Sequence, residues 1–181
     1  MPSAIRPTQN KVRKALFDIL GDIQGLSFLE LFAGSASVGF EAVSRGIAEL
    51  VLVEQNYVSQ SAIKENIRLL KLDDCRLYPY KADKAIQLLQ REKKQFNIIF
   101  LDPPYYKGPD FRQRLSSQPD RAESLAKKTL QMIGAYDILA PNGLLVAQHF
   151  KKDILPQAIG NLTRFKEAAY GDTLLSFYNK V

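Results

Sequence analysis

The stretch Ile98-Ile99-Phe100-Leu101-Asp102-Pro103-Pro104-Tyr105-Tyr106 decides how the rest of the chain is read. Four consecutive apolar residues, two of them β-branched, suit a strand buried on both faces of a parallel sheet. Proline has no N–H to give to a ladder, so the strand must stop at Asp102. The two rings fix the backbone and push the residue before each of them out of the helical region. A carboxylate, a carbonyl and an aromatic ring are thereby held stiffly at the carboxyl end of a strand, where open α/β sheets bind their ligands. The plain alternative is a proline-rich turn that merely closes a strand. The sequence on either side weighs against it.

Upstream, Ser27 to Phe32 forms the first strand and runs into Ala33-Gly34-Ser35-Ala36-Ser37, after which Val38, Ala42 and Val43 mark the apolar stripe of a helix. A strand, a turn of small residues and a helix N-terminus make a nucleotide-type pocket, because unpaired N–H groups point outward there. A dinucleotide fingerprint is disfavoured by Ala36, which stands where G-x-G-x-x-G needs its second glycine. Gly34 and Gly39 have phosphate-loop spacing, but Phe40-Glu41 replaces the required Lys-Ser/Thr, which excludes that loop. The second strand, Leu50 to Val53, ends at Glu54, twenty residues after Gly34. That is the distance at which such folds set a carboxylate on ribose hydroxyls.

The remaining chain continues the alternation. A helix with Ile63, Ile67 and Leu70 as its buried stripe is followed by a strand from Arg76 to Lys81 ending near Asp83, then a helix carrying Ala85, Leu88 and Leu89. Residues 107–119, with Gly108, Pro109 and Pro119, read as a loop beside the Asp-Pro-Pro-Tyr turn, and a helix is expected over about 120–138. Pro141-Asn142-Gly143 reads as a turn into the strand Leu144 to Ala147. Lys166 to Tyr170 and Leu174 to Tyr178 read as a closing hairpin around Gly171-Asp172. Strands alternating with helices imply one α/β domain over 1–181, with a doubly wound, mostly parallel sheet. Right-handed crossovers then bring Gly34, Glu54 and Asp102 to one cleft.

Ahead of that core, residues 8–20 read as an amphipathic helix with Thr8 as N-cap, Val12, Ala15, Leu16, Ile19 and Leu20 as its apolar face, and Gly21 as the stop. It packs on the body of the domain and leaves Lys11 and Lys14 pointing elsewhere. Arg6, Lys11, Arg13 and Lys14 fall in a segment without acids, and the chain carries a net charge of +6 with a pI near 9.4. That balance suggests a polyanionic partner, with a merely solvated helix face as the alternative. The single cysteine, Cys75, excludes an internal disulfide and a thiolate cage, and points to a reducing cytosol. Cys75 itself reads as a small core or strand-edge residue. His149, the only histidine, cannot build a metal site alone. No apolar run is long enough to span a bilayer.

Taken together, these residues resemble a class I S-adenosylmethionine-dependent methyltransferase. Glu30-Leu31-Phe32-Ala33-Gly34-Ser35 looks like that family's cofactor loop. Glu54, with the adjoining Gln55, matches its ribose-binding acid, and Asp83 matches the acid near the adenine amine. Asp102-Pro103-Pro104-Tyr105 looks like the motif of enzymes that methylate planar nitrogens. More narrowly, Arg6-Pro7-Thr8 with Val12-Arg13-Lys14-Ala15-Leu16-Phe17, and Gly171-Asp172-Thr173 near the end, resemble the bacterial small-subunit (16S) ribosomal RNA guanine-N2 methyltransferase family of RsmD type. Glu30 stands where that family more often has Asp, and Ala36 replaces a glycine. The sequence starts almost at Arg6, without the basic segment that usually precedes it, which implies either a smaller RNA footprint or a shortened protein.

The resemblance implies S-adenosyl-L-methionine as cofactor, bound by Glu30, Phe32, Ala33, Gly34, Ser35, Glu54, Gln55, Asp83 and Asp102. It implies Asp102, Pro103 and Tyr105 as the catalytic residues, and Arg6, Thr8, Lys11, Arg13 and Lys14 as the contacts to ribosomal RNA. Asp102 and the Pro103 carbonyl would accept the amine hydrogens of the target base while Tyr105 stacks on it, with no metal required. The expected protein is a cytoplasmic monomer acting on the small ribosomal subunit or an assembly intermediate. Other readings are amine methylation in DNA, methylation of a protein glutamine, and an RNA-binding module without catalysis.

Overall fold

The computed structural model describes residues 10–104 and 124–180. Arg6, Pro7, Thr8, Tyr105, Tyr106 and the loop at 107–119 lie outside the described residues. The order of elements is α1 (Asn10–Leu20), β1 (Ser27–Leu31), α2 (Ser37–Ser44), β2 (Glu49–Val53), α3 (Tyr57–Leu70), β3 (Cys75–Tyr78), α4 (Ala82–Arg91), β4 (Phe96–Leu101), α5 (Leu125–Ala135), β5 (Leu139–Phe150), β6 (Ala158–Ile159), β7 (Leu162–Tyr170) and β8 (Thr173–Lys180). The described strands form one eight-stranded sheet in the order β3-β2-β1-β4-β5-β8-β7-β6. Pairing is parallel from β3 to β5 and antiparallel from β5 to β6. This is the doubly wound sheet with a closing hairpin that the sequence implied.

Strand alternation sorts the core into two layers. Leu29, Leu31, Ile99, Leu101, Leu145 and Ala147 face the layer made by Ala85, Ile86 and Leu89 of α4 and Leu130 and Ile133 of α5. Phe28, Leu50, Leu52, Ile98, Phe100 and Val146 face the other, made by Val12, Leu16 and Phe17 of α1, Val38 and Ala42 of α2, and Ile63 of α3. Helices therefore cover both faces, and the near-continuous apolar runs of β1, β2 and β4 follow from burial on both sides. α1 ends at Gly21, whose φ of 70° is the left-handed stop that glycine allows, with its N–H on the Phe17 carbonyl at 3.0 Å.

Local differences from the expected elements have physical causes. Pro141-Asn142-Gly143 does not separate a turn from a strand, because β5 already pairs before it. Phe96 of β4 sits opposite Leu139 and Ile98 opposite Leu144, so a step of two on β4 meets a step of five on β5 and the excess bulges outward. Asn142 takes φ 61° in that bulge. At Gly143 a Cβ would stand 2.8 Å from the Ala140 carbonyl. α5 begins later than expected, where the Ser124 hydroxyl accepts from the Lys127 N–H at 3.1 Å. β3 ends at Tyr78, so Asp83 falls in the first turn of α4 rather than near a strand end. Leu70 is 57% exposed at the end of α3 and does not join Ile63 in the core. The two-residue β6 has no sequence signal.

Candidate active site at the carboxyl edge of the sheet

The parallel strands deliver their carboxyl ends to one edge, and the acids expected there arrive together. Glu54 follows β2 and is 8% exposed, although nothing cationic pairs with it among the described residues. Its Oε2 accepts from the Gly34 N–H and its Oε1 from the Asn56 N–H, both at 2.7 Å. Gln60 holds the Glu54 carbonyl at 2.9 Å. The glycine-bearing loop after β1 is thus latched onto the acid after β2, in the shared cleft that right-handed crossovers implied. Gln55 beside it is exposed.

The loop itself is wound in the left-handed region at Phe32 (φ 62°), Gly34 (φ 55°) and Ala36 (φ 55°). Such backbone costs an L-residue roughly 1–2 kcal/mol, and strain of this kind gathers at ligand sites. Ala36 is fully buried as the residue capping α2, without a side-chain bond of its own. This conformation explains why glycine is the ordinary residue at that position. Ala33 donates to the Val53 carbonyl at 2.9 Å, so the loop is tied to β2 at two points.

Glu30 lies inside the fold rather than at the mouth of the loop. It is 3% exposed and accepts from the Gly39 N–H of α2 at 2.8 Å. Burial, with smaller contributions from the Asp102 and Glu54 charges, pushes its carboxyl up to about 8. Gly39 is required there: a Cβ would stand 2.7 Å from the Glu30 Oε2 and 2.8 Å from the Leu52 Cδ2. Asp83 is exposed, with Oδ1 on the N–H of Lys84 at 2.8 Å. Cys75 opens β3, a strand-edge position as expected, and burial pushes its thiol up to about 11.

Asp102 follows β4, its N–H on the Leu31 carbonyl at 3.4 Å. Continuing the Leu101–Ala147 register by one residue sets it level with Gln148 of β5. The Gln148 Nε2–H donates to the Asp102 Oδ2 at 2.8 Å. Gln148 is 5% exposed, and its Oε1 has no hydrogen-bond partner among the described residues. Sequence reasoning did not single it out. The signal was present, since Gln148-His149 breaks an apolar strand at its carboxyl end. His149 points to the opposite face by strand alternation and belongs to a separate network, in which its Nε2 lies 2.9 Å from the Ser176 Oγ.

On α1, Lys11 and Lys14 are exposed and Arg13 is half-buried. Arg13 donates to the Asn10 Oδ1 at 3.0 Å and Lys14 pairs with Asp18 at 2.8 Å, local surface contacts of small value. Among the described residues no group of three or more His, Cys, Asp and Glu side chains could hold a metal ion. No described helix is long and apolar enough to cross a membrane.

With the geometry in place, comparison with known proteins is decisive on lineage. The family described as "Conserved hypothetical protein 95" matches residues 1–179. The chain belongs to this family. YlbH of Bacillus subtilis is 31% identical over 180 residues, covering 98% of this chain and 89% of that protein. The ribosomal RNA small subunit methyltransferase D of Escherichia coli is 29% identical, covering 97% and 80%. A solved structure of a family-like protein from Streptococcus pyogenes, titled only as a conserved hypothetical protein, superposes with a TM-score of 0.74 at 32% identity, covering 92% of this chain and 93% of that one. At 19% identity, the Thermus thermophilus 16S rRNA N2 methyltransferase RsmC, solved with AdoMet and guanosine, shares the fold with a TM-score of 0.69 over 99% of this chain and 44% of that one. The family is thus the RsmD type that the amino-terminal motif and Gly171-Asp172-Thr173 resembled.

Proposed function

We propose that the chain transfers a methyl group from S-adenosyl-L-methionine to the exocyclic N2 amine of a guanine in small-subunit ribosomal RNA. One observation carries this reading: the Asp102 carboxylate, stiffened by the prolines after it and gripped by Gln148, stands at the strand edge that also holds the Glu54-latched loop. The donor set suits the cofactor. The Asp102 and Glu54 charges both reach Glu30, so they lie near one another, and this edge favours a ligand with positive charge over one with phosphates. Glu54 would hold the ribose hydroxyls, with Phe32, Ala33, Gly34 and Ser35 against the amino-acid end and Gln55 and Asp83 toward the adenine. Glu30 supports the loop from beneath through α2.

S-adenosyl-L-methionine, when bound, supplies an electrophilic methyl whose C–S bond breaks with its electron pair going to sulfur while the base nitrogen's lone pair forms the new C–N bond. The protein's work is alignment. Asp102 and the Pro103 carbonyl accept the two amine hydrogens, which localises the lone pair on nitrogen. One proton then leaves nitrogen for the Asp102 carboxylate and passes to water. Tyr105 stacks on the target base, a contact worth roughly 1–3 kcal/mol, once the base is flipped or met unpaired.

Target choice rests on the shape of folded RNA, with Arg6, Thr8, Lys11, Arg13 and Lys14 on the phosphates. The protein acts as a cytoplasmic monomer without a metal ion. The test is methyl transfer from labelled cofactor to small ribosomal subunits lacking the modification, with nucleoside analysis of the product. Labelled N2-methylguanosine is expected. Label on adenine, cytosine or protein, or cofactor binding without any transfer to RNA, would overturn the reading.

A further inference from the structure

The feature left unexplained by the proposed chemistry is the carbonyl of Gln148. Its Oε1 is shut off from water and has no hydrogen-bond partner among the described residues. Leaving a buried amide oxygen so costs about 1–3 kcal/mol, and native structures keep such groups rarely and for cause. The assignment of the amide is fixed by its neighbour. Oδ2 of Asp102 accepts, so the nitrogen must face it, and a flipped amide would set oxygen against oxygen. Oε1 is therefore one amide's width from the Asp102 carboxylate, on the same face of the sheet and at the same level.

We propose that Gln148 is the specificity-determining residue of the site: a small shift of the side chains around it on base entry uncovers its Oε1, which accepts the N1–H of the target guanine beside the amine that Asp102 receives. This rests on the methyltransferase reading above and narrows it. The chemistry of base edges makes the choice. Guanine presents its 2-amine next to N1–H, a donor beside a donor. Adenine presents its 6-amine next to N1, and cytosine its 4-amine next to N3, each a donor beside an acceptor. A carboxylate flanked by a carbonyl oxygen matches guanine and sets two lone pairs against each other with either rival. Gln148 thus does two things with one planar group: its N–H orients the carboxylate, and its carbonyl reads the neighbouring atom. A site built to bond a substrate N–H rejects the analogue lacking it, because its own buried group is then stranded.

The experiment compares RNA carrying guanine with RNA carrying 2-aminopurine or 2,6-diaminopurine at the methylated position. Both analogues keep the 2-amine, and both have N1 as an acceptor without hydrogen. The wild-type protein is expected to favour guanine in kcat/KM by roughly tenfold to a hundredfold, the rate equivalent of one stranded buried group. In Gln148→Leu, rates on guanine fall and the preference collapses toward unity, while cofactor affinity is kept. Gln148→Glu, which keeps an acceptor but sets a second carboxylate against Asp102, loses turnover on all three bases. Equal wild-type rates on guanine and both analogues would overturn the inference, and that result needs no variant to fold. So would a preference unchanged in a folded Gln148→Leu that still binds cofactor. If the wild type methylates no guanine at all, the underlying reading fails instead, and the two failures are told apart in the first assay.

Discussion

Gln148 and His149 are neighbours on β5, yet they face opposite sides of the sheet and live under opposite rules. In the network around His149 each side chain has a polar partner. The Ser176 hydroxyl donates to the Glu167 Oε2 at 2.8 Å, so the His149 Nε2 carries the hydrogen it gives to Ser176, and Arg164 closes the chain on Glu167 at 2.7 Å. Burial holds His149 below the usual imidazole range, against weaker opposing pulls from Asp153 and Glu167. The Gln148 side has a buried carbonyl with no described partner, and backbone wound left-handed at Phe32 and Ala36. The contrast separates structural polarity, which is satisfied, from functional polarity, which is held in reserve for a ligand.

The largest test of that division is Asp102→Ala. Turnover should fall by about 10² to 10⁴, with cofactor affinity retained, in a labelled-transfer assay paired with titration calorimetry. A variant that turns over normally would erase the distinction between the two faces.

Next in size is the response to pH. The Glu30 carboxyl sits at about 8 in the fold against an ordinary 4.5, so the folded state binds the extra proton. Its stabilising share is fully present below about 4.5 and is lost as pH rises through about 8. The loss is on the order of a few kcal/mol. Thermal melts should therefore decline between pH 5 and pH 8.5, and Glu30→Gln, which can still accept from Gly39, should flatten that decline. An equally steep decline in the variant would place the titration elsewhere.

Ser176→Ala should cost about 1–3 kcal/mol by stranding the His149 Nε2–H, while Glu167 keeps Arg164, lowering the melting temperature by several degrees, with kcat nearly unchanged. A kcat loss as large as that of Asp102→Ala would mean that the second network also serves the chemistry.

The smallest effect is expected from Ala36→Gly. Relief of a left-handed alanine is worth about 1 kcal/mol. A buried methyl lost, about 0.8 kcal/mol, and a looser unfolded chain offset it. Melting temperature should stay within a few degrees, and a gain in cofactor affinity would show that the alanine stiffens the loop at the ligand's expense.

Much of this was legible in the chain. The parallel strands announced themselves as apolar runs ending in Gly34, Glu54 and Asp102, because burial on both faces leaves no room for polar residues until the edge is reached. That Gly34 and Glu54 share one edge followed from the right-handed crossovers; the hydrogen bond between them did not. Other features depended on partners distant in sequence. The bulge at Asn142 exists because β4 pairs on both sides of it. Leu70 fits a helical stripe but extends past the sheet it would have packed on. Gln148 looked like one more polar residue until the register of β4 and β5 set it opposite Asp102.

The borders of the sheet carry a last consequence. One is β3, four residues long and led by a half-buried cysteine; at the other, the two-residue β6 covers only Leu162 and Thr163 of β7, and the stretch from Lys166 to Tyr170 has no strand beyond it among the described residues. Short borders give a foreign backbone little to zip onto. The open stretch of β7 is guarded differently: Lys166 and Glu167 are exposed along it, and charges on an edge oppose pairing with a foreign strand.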